Sequence, residues 1–122
     1  MQEKRKASNS VKISELVVDG MSEIKALDIT VLDLRKVNNA VADFFVICSG
    51  NSDTQIDAIS ESIEQVVFKG TKINPWKREG KQNKEWILID YVDVVVHIFK
   101  KDKREFFALE DLWGDGVITK VA

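Results

Sequence analysis

The sequence is poor in the residues that build disulfide frameworks, metal centres and catalytic triads. Its 122 residues include one cysteine, Cys48, and one histidine, His97. A single cysteine excludes an internal disulfide and a cysteine-based zinc site, and it fits a reducing, cytoplasmic setting. A serine or cysteine nucleophile would have to use His97 as its base. We expect a structural or interface histidine there, and we expect no catalytic residue, bound metal or cofactor.

Long apolar runs and an excess of charge of one sign are also missing. The longest uninterrupted apolar run, from Phe44 to Cys48, is far shorter than the roughly 18 residues that a membrane span requires. The charged first residues lead into polar ones, so we expect no secretory signal. Eighteen basic and 20 acidic side chains give a net charge of −2 at pH 7. This balance disfavours general nucleic-acid binding and favours a basic protein partner.

The remaining composition is typical of one soluble domain. Hydrophobic residues make up 44% and charged residues 31% of the sequence, which allows a packed core without a disulfide or metal. Polar residues 1–9 predict a flexible N-terminal tail, and residues 117–122 are assigned to a C-terminal tail. The folded domain is therefore predicted to span residues 10–116.

Apolar periodicity of 3.6 residues predicts three helices. The first is expected to begin at an N-cap on Ser10 and to weaken at Gly20. The second is predicted over residues 53–69, with Ser52 or Asp53 as its N-cap and Gly70 as its C-terminal signal. A last helix is predicted over residues 103–113. Each has apolar residues on one side, as expected of helices that pack against a sheet.

Runs of β-branched and aromatic residues predict the sheet. Strands are expected over residues 29–34, 44–48, 86–91 and 94–99, and a short edge strand near Ile73. The strands over 86–91 and 94–99 are so close in sequence that they must form an antiparallel hairpin. The predicted fold is therefore α/β, with a single mixed sheet of about five strands and helices packed against it.

Two carboxylates at the hairpin have three interpretations. Asp90 and Asp93 bracket the turn, where they could bind magnesium. Aspartates in this position also accept hydrogen bonds from backbone amides, which is the plainer interpretation. A third is that they join Trp86 and Tyr91 in an aromatic and acidic patch for a basic partner.

Two loops offer weaker signals. The segment from Ser49 to Ser52 lies between a strand and a helix, where an anion could bind, but it has too few glycines for a nucleotide fingerprint. Its stronger interpretation is a turn with a helix cap. The basic loop from Lys72 to Lys84 contains Trp76 and could contact RNA by charge and stacking, although such charges are usually only solvated.

Three blocks of the sequence carry a resemblance to a known family. They are ADFFVICSG at 42–50, WILIDYVDVVVHIF at 86–99, and REFF at 104–107 followed by LEDLWGD at 109–115. In this order and at this spacing they resemble the ribosomal silencing factor family, also called RsfS or Iojap. The resemblance runs from about residue 10 to residue 115. The family usually has glycine where this chain has Val92, which puts the geometry of the hairpin turn in question.

The resemblance implies a fold and a function. It implies a nucleotidyltransferase-like α/β fold and a protein that binds the large ribosomal subunit through ribosomal protein L-fourteen. Such binding blocks subunit association and represses translation under nutrient limitation, and the free protein is expected to be a homodimer. The basic loop could add a peripheral rRNA contact. The partner-binding residues carried over to this chain are Trp86, Leu88, Asp90, Tyr91, Asp93 and His97.

One alternative function is a dimeric scaffold for some other protein partner, which ribosome fractionation would distinguish from ribosome binding. Another alternative is an enzyme. In this interpretation the chain is a divergent nucleotidyltransferase-like protein that binds a nucleotide and magnesium. It would use Ser49 and Gly50 together with Asp90 and Asp93, and it would need a third carboxylate near that pair.

Overall fold

The described part of the chain forms one mixed sheet with two helices on one face. The computed structural model describes residues 2–80, 83–103 and 116–121, with side chains from residue 9 onward. Within these ranges the helices are α1 (Gln2–Glu23) and α2 (Asp53–Thr71), and a short 3₁₀ turn covers Lys101–Lys103. The strands are β1 (Leu27–Asp33), β2 (Phe44–Gly50), β3 (Lys77–Glu79), β4 (Trp86–Asp90), β5 (Val94–Lys100) and β6 (Val117–Lys120).

The strand order confirms the predicted α/β class with a single mixed sheet. The order is β3-β4-β5-β2-β1-β6, and β2 pairs with β5 in parallel while the other neighbours are antiparallel. The β4–β5 hairpin is present as predicted. The described strands number six rather than about five, because β6 adds to the edge beside β1.

Both helices pack on the same face of the sheet, which we call the helix face. Alternate residues of the strands point to it and form one core with the apolar sides of α1 and α2. Fully buried isoleucines dominate this core, and each contributes roughly 1.5–3 kcal/mol of transfer free energy. They are Ile29, Ile56, Ile59, Ile63, Ile87, Ile89 and Ile98.

The other side of the sheet, the outer face, carries a second apolar cluster. Its buried members are Leu32, Leu34, Ala42, Phe45, Ile47, Val95 and Phe99. Residues of the loop between β1 and β2 pack against it, together with Trp86 and Leu88 of β4. Strand β2 is consequently buried along its whole length, as its unbroken apolar run predicts.

The two chain ends differ from the prediction. Helix α1 begins at Gln2, within the segment predicted as a flexible tail, and Ser10 is buried inside the helix instead of capping it. Residues 117–120, predicted as a tail, form β6 and pair with β1. Short edge strands with exposed side chains lack the alternating pattern that identifies a strand. The helix predicted over 103–113 lies almost wholly outside the described residues.

Two predicted boundaries inside the chain are also wrong. The edge strand is β3, four residues beyond Ile73, since the Ile73 side chain packs against the helix-face core instead. Helix α2 begins at the predicted N-cap, where the amide of Gln55 donates to Ser52 Oγ at 3.1 Å. It ends at Thr71, and the C-cap residue Lys72 closes the last turn with a positive φ of 62° and an amide that donates to the Phe68 carbonyl. Gly70 therefore lies inside α2, where its missing side chain leaves room for Leu16.

Gly20 does not weaken α1 but allows α1 and α2 to touch. A Cβ atom at this position would lie 2.7 Å from Cα of Ile63, closer than real Cβ atoms approach a backbone. The same contact is held by the Ser62 hydroxyl, which donates to the Gly20 carbonyl at 2.8 Å. Glycine lowers the helix propensity of α1 at this position, but it allows the two helices to pack closely.

We expect Gly20→Ala to destabilise the protein by about 2 kcal/mol, because the methyl group meets a backbone that cannot move without separating the helices. Gly70→Ala is the matched control. Its Cβ would approach the end of the flexible Leu16 side chain, so we expect a change within about 0.5 kcal/mol. Urea unfolding of both variants measures the difference. Equal stabilities would contradict this account of the helix contact.

Candidate functional site

Strand alternation separates the residues predicted to bind a partner. Trp86 and Leu88 lie on the outer face, and Asp90 follows in the same alternation, opposite Val95. His97 lies on β5 directly opposite Leu88. Tyr91 lies on the other side of the sheet, within the helix-face core. The structure therefore brings Trp86, Leu88, Asp90 and His97 together on one face and leaves Tyr91 out.

Trp86 and His97 form an aromatic cluster with Phe45 and Phe99. The His97 ring centroid is 4.7 Å from that of Phe45, and Trp86 is 5.2 Å from Phe99. The indole Nε1–H of Trp86 donates to His97 Nδ1 at 3.0 Å. Trp86 is half-buried, whereas His97 is only 4% exposed. His97 thus orients Trp86 from below and offers almost no surface to a partner.

The protonation state of His97 follows from this arrangement. Because Nδ1 accepts a hydrogen bond from Trp86, the proton of the neutral ring lies on Nε2. Nε2 is buried and has no hydrogen-bond partner among the described residues. Burial lowers the pKa of His97 to about 4, since charging the ring there costs its hydration. The ring is neutral at pH 7 and serves as a hydrogen-bond acceptor for the tryptophan.

Tyr91 is a core residue in this structure. It is 6% exposed, and its hydroxyl is buried without a hydrogen-bond partner among the described residues. Burial raises the pKa of this hydroxyl well above its usual range. Tyr91 therefore offers almost no surface to a partner.

The turn between β4 and β5 is built by its two aspartates and by Val92. Asp90 Oδ1 accepts a hydrogen bond from the Val92 amide at 2.7 Å, which confirms the turn role considered for this carboxylate. The Asp93 amide donates to the Tyr91 carbonyl at 3.0 Å, and Val92 between them has a φ of 75°. This combination is a γ-turn of the strained type, and a β-branched residue adopts it at a cost.

The basic loop is less cationic than its sequence indicates. Lys77 Nζ lies 3.1 Å from Glu79, and Lys84 Nζ lies 2.9 Å from Asp57. Arg78 forms a bidentate pair with Glu64 of α2. Lys81 lies outside the described residues. These pairs leave fewer of the described cations available for phosphate groups, which weakens the RNA interpretation of the loop.

The residues of the enzymatic alternative lie at opposite ends of the central strands. Asp93 accepts hydrogen bonds from the amides of Asp43 and Phe44 at the start of β2. Ser49 and Gly50 end the same strand, roughly 17 Å away at 3.3 Å per residue. Gly50 packs against Ile56, and Ser52 caps α2. The described residues contain no group of three or more histidine, cysteine or acidic side chains placed to hold a metal.

Trp76 lies beside the hairpin turn, a position that the sequence did not predict. It is 69% exposed, and its amide donates to the Asp90 carbonyl at 2.7 Å, beside the hairpin turn. The sequence assigned it to a basic loop, because the edge strand was placed at Ile73 and not at residues 77–79. The β3–β4 register pairs Lys77 with Asp90, and this pairing brings Trp76 next to the hairpin turn.

We expect Val92→Gly to stabilise the protein by about 1 kcal/mol, since relief of the positive-φ strain exceeds the added entropy of the unfolded chain. Val41→Gly is the control, because Val41 is also exposed and has no positive φ. That change should be destabilising by up to about 1 kcal/mol. Thermal unfolding compares the two, and a Val92→Gly protein no more stable than wild type would show that the turn holds valine without strain.

A second expectation concerns pH. The pKa of His97 falls from 6.5 to about 4 on folding, so the unfolded chain binds the proton more tightly between these values. Stability should therefore decline as the pH drops from 6.5 to 4, by about 3 kcal/mol in total from this residue. In His97→Phe this part of the pH dependence should vanish, although its stability is lower throughout. Parallel curves for the two proteins in denaturant titrations would contradict the assignment.

Comparison with known proteins agrees with the fold and the sequence blocks. A family model described as "RsfS: Ribosomal silencing factor during starvation" matches residues 7–121. The chain is 41% identical over 112 residues to "Ribosomal silencing factor RsfS" of Bacillus subtilis, covering 91% of this chain and 92% of that protein. It is 38% identical over 94 residues to "Protein Iojap, chloroplastic" of Zea mays, covering 77% of this chain and 40% of the plant protein.

Solved structures show the same architecture. A crystal structure of a Chromobacterium violaceum protein superposes with a TM-score of 0.77 at 32% identity, covering 84% of both chains. A second, from Bacillus halodurans, gives a TM-score of 0.70 at 35% identity and covers 88% of this chain and 94% of that one. Within the described ranges, neither helix of this chain has an apolar stretch that could cross a membrane. The family model covers nearly the whole chain, and this protein belongs to the RsfS family.

Proposed function

We propose that this protein is a ribosomal silencing factor. It binds the large ribosomal subunit through ribosomal protein L-fourteen, blocks subunit association and represses translation when nutrients are limiting. The observation that carries the proposal is the match to the family model over residues 7–121. Relatives covered over more than 80% of their length are named "Ribosomal silencing factor RsfS". The proposed activity is binding without chemistry, and a cytoplasmic location is part of the proposal.

The outer face of β4 is the surface best suited to the partner. Trp86, Leu88 and Asp90 are each half-buried there, so they combine a fixed position with an accessible apolar or acidic group. A rigid aromatic side chain surrounded by apolar contacts is the usual centre of a protein interface. The hydrogen bond to His97 holds the Trp86 ring in one orientation, which lowers the entropy lost on binding.

Electrostatics favour a basic protein over rRNA as the principal contact. The net charge is −2, Asp90 ends β4 on the outer face, and Asp93 follows it in the turn. Attraction to lysine and arginine would steer the encounter, whereas rRNA phosphates would be repelled. The paired cations of the basic loop support at most a peripheral rRNA contact. A homodimer of the free protein is also part of the proposal.

Sedimentation with separated ribosomal subunits tests the function. The protein should travel with the large subunit and not with the small one, and the yield of joined ribosomes at physiological magnesium should fall. Binding to neither subunit would overturn the proposal. Binding to both subunits with equal affinity would indicate non-specific association and would also contradict it.

Leu88→Arg tests the surface with little effect on the fold. Leu88 is only half-buried on β4, and an arginine there introduces a like charge toward a basic partner. We expect its affinity for large subunits to fall at least tenfold. Phe68→Arg is the matched control, since Phe68 is 41% exposed at the end of α2, away from the outer face. Equal affinities of the two variants in a fluorescence titration would exclude β4 from the interface.

A further inference from the structure

The strand directions bring several separate loops to one end of the sheet, which we call the turn end. Strands β2 and β5 both begin there, at Phe44 and Val94, since they run parallel. Strand β4 ends there, and β3 begins beside it, because their pairing is antiparallel. The turn end therefore gathers the segment just before β3, the γ-turn and the segment just before β2.

Three of the large apolar side chains exposed in the described residues lie at the turn end. Val41 is 71% exposed, Trp76 is 69% exposed and Val92 is 54% exposed. Each comes from a different loop, so no local sequence pattern groups them. A tryptophan exposed to this extent leaves a large apolar surface in water, and such surfaces mark interaction sites when several adjoin.

Short backbone contacts fix these three side chains relative to one another. The Trp76 amide donates to the Asp90 carbonyl at 2.7 Å, which ties the segment before β3 to the end of β4. The Asp43 amide donates to the Asp93 carbonyl at 2.8 Å, which ties the segment before β2 to the γ-turn. The loops that carry the apolar side chains are thus connected by backbone hydrogen bonds, which we call the framework. These loops would lose little backbone entropy on binding.

The charges at the turn end are predominantly acidic. Asp43, Asp90 and Asp93 accompany the apolar residues, and each is anchored to the framework through backbone or side-chain hydrogen bonds. Two nearby cations are already engaged, because Arg35 pairs with Asp33 at 2.7 Å and Lys77 with Glu79 at 3.1 Å. Lys36, in the loop after β1, is exposed. Lys77 also lies 5.2 Å from the Trp76 ring centroid. A surface of this composition complements lysine and arginine side chains, and arginine also stacks on tryptophan.

We propose that the turn end, comprising Val41, Trp76 and Val92 with Asp43, Asp90 and Asp93, is a binding surface for a basic protein partner, with Trp76 as its anchor. The proposal rests on the proposed function and extends its surface, because Asp90 belongs both to the outer face of β4 and to the turn end. The three carboxylates there would repel the phosphate groups of a nucleic acid. A second copy of this chain, related by a two-fold axis, would place the same carboxylates against one another.

Binding of Trp76→Ala to purified large ribosomal subunits and to isolated ribosomal protein L-fourteen tests this inference. Trp76 makes few packing contacts, so the variant should fold, which its thermal unfolding checks. We expect at least a tenfold loss of affinity for both probes. Phe68→Ala, which removes an exposed aromatic ring at the end of α2, is the control and should bind like wild type.

The outcomes separate this inference from the function on which it rests. If wild type binds both probes and Trp76→Ala binds them equally well, the inference is overturned and the function stands. If the variant loses affinity for subunits but not for isolated L-fourteen, Trp76 contacts another component of the subunit, and L-fourteen is wrong as its partner. If wild type binds neither probe, both proposals fail. A tenfold loss for both probes with an unaffected Phe68→Ala supports the inference.

Discussion

The parallel pairing of β2 with β5 is the constraint on which the rest of the structure depends. These two strands form the centre of the sheet, and their residues are buried on both faces. Burial on both faces requires a layer on each side, which the helices supply on one side and the outer-face cluster on the other. The pairing also aligns the starts of both strands, so that the loop before β2 meets the turn before β5.

The local energetic costs of the fold concentrate around the β4–β5 hairpin. Val92 holds a strained φ, and the buried atoms Tyr91 Oη and His97 Nε2 have no hydrogen-bond partner among the described residues. Strain and unsatisfied polar groups persist only where the surrounding structure outweighs them. The hairpin is also the part of the chain that carries the proposed docking surface, which agrees with the tendency of functional sites to accumulate such costs.

Sequence patterns predicted the central elements because burial imposes a clear period on them. The continuous apolar run of β2, the hairpin and the apolar side of α2 all follow from this rule, and Ser52 was recognisable as a cap. Strands β3 and β6 were missed or misplaced because all of their residues are exposed. Gly20 and Gly70 were interpreted as helix breaks, although their role is set by neighbours more than 40 residues away in sequence. Local patterns contain no information on such contacts.

The candidate site was predictable in part. Its location on the hairpin came from the resemblance, but the resemblance did not distinguish surface residues from buried ones. Alternation along β4 separates Trp86 and Leu88 from Tyr91, and the burial of His97 follows only from the packed rings around it. The pairing of β3 with β4 brings Trp76 beside the hairpin, and this pairing depends on the tertiary fold.

Hydrogen exchange measured on the free chain and on the chain bound to large ribosomal subunits tests the central claim most directly. The account predicts slower exchange on binding for the amides of Asn74, of residues 76–79 and of residues 90–94, where the outer face meets the turn end. It predicts no change for the exposed side of α2. Slower exchange confined to α2, or to the loops around Asn51 and Asp102 at the opposite end of the sheet, would contradict the account.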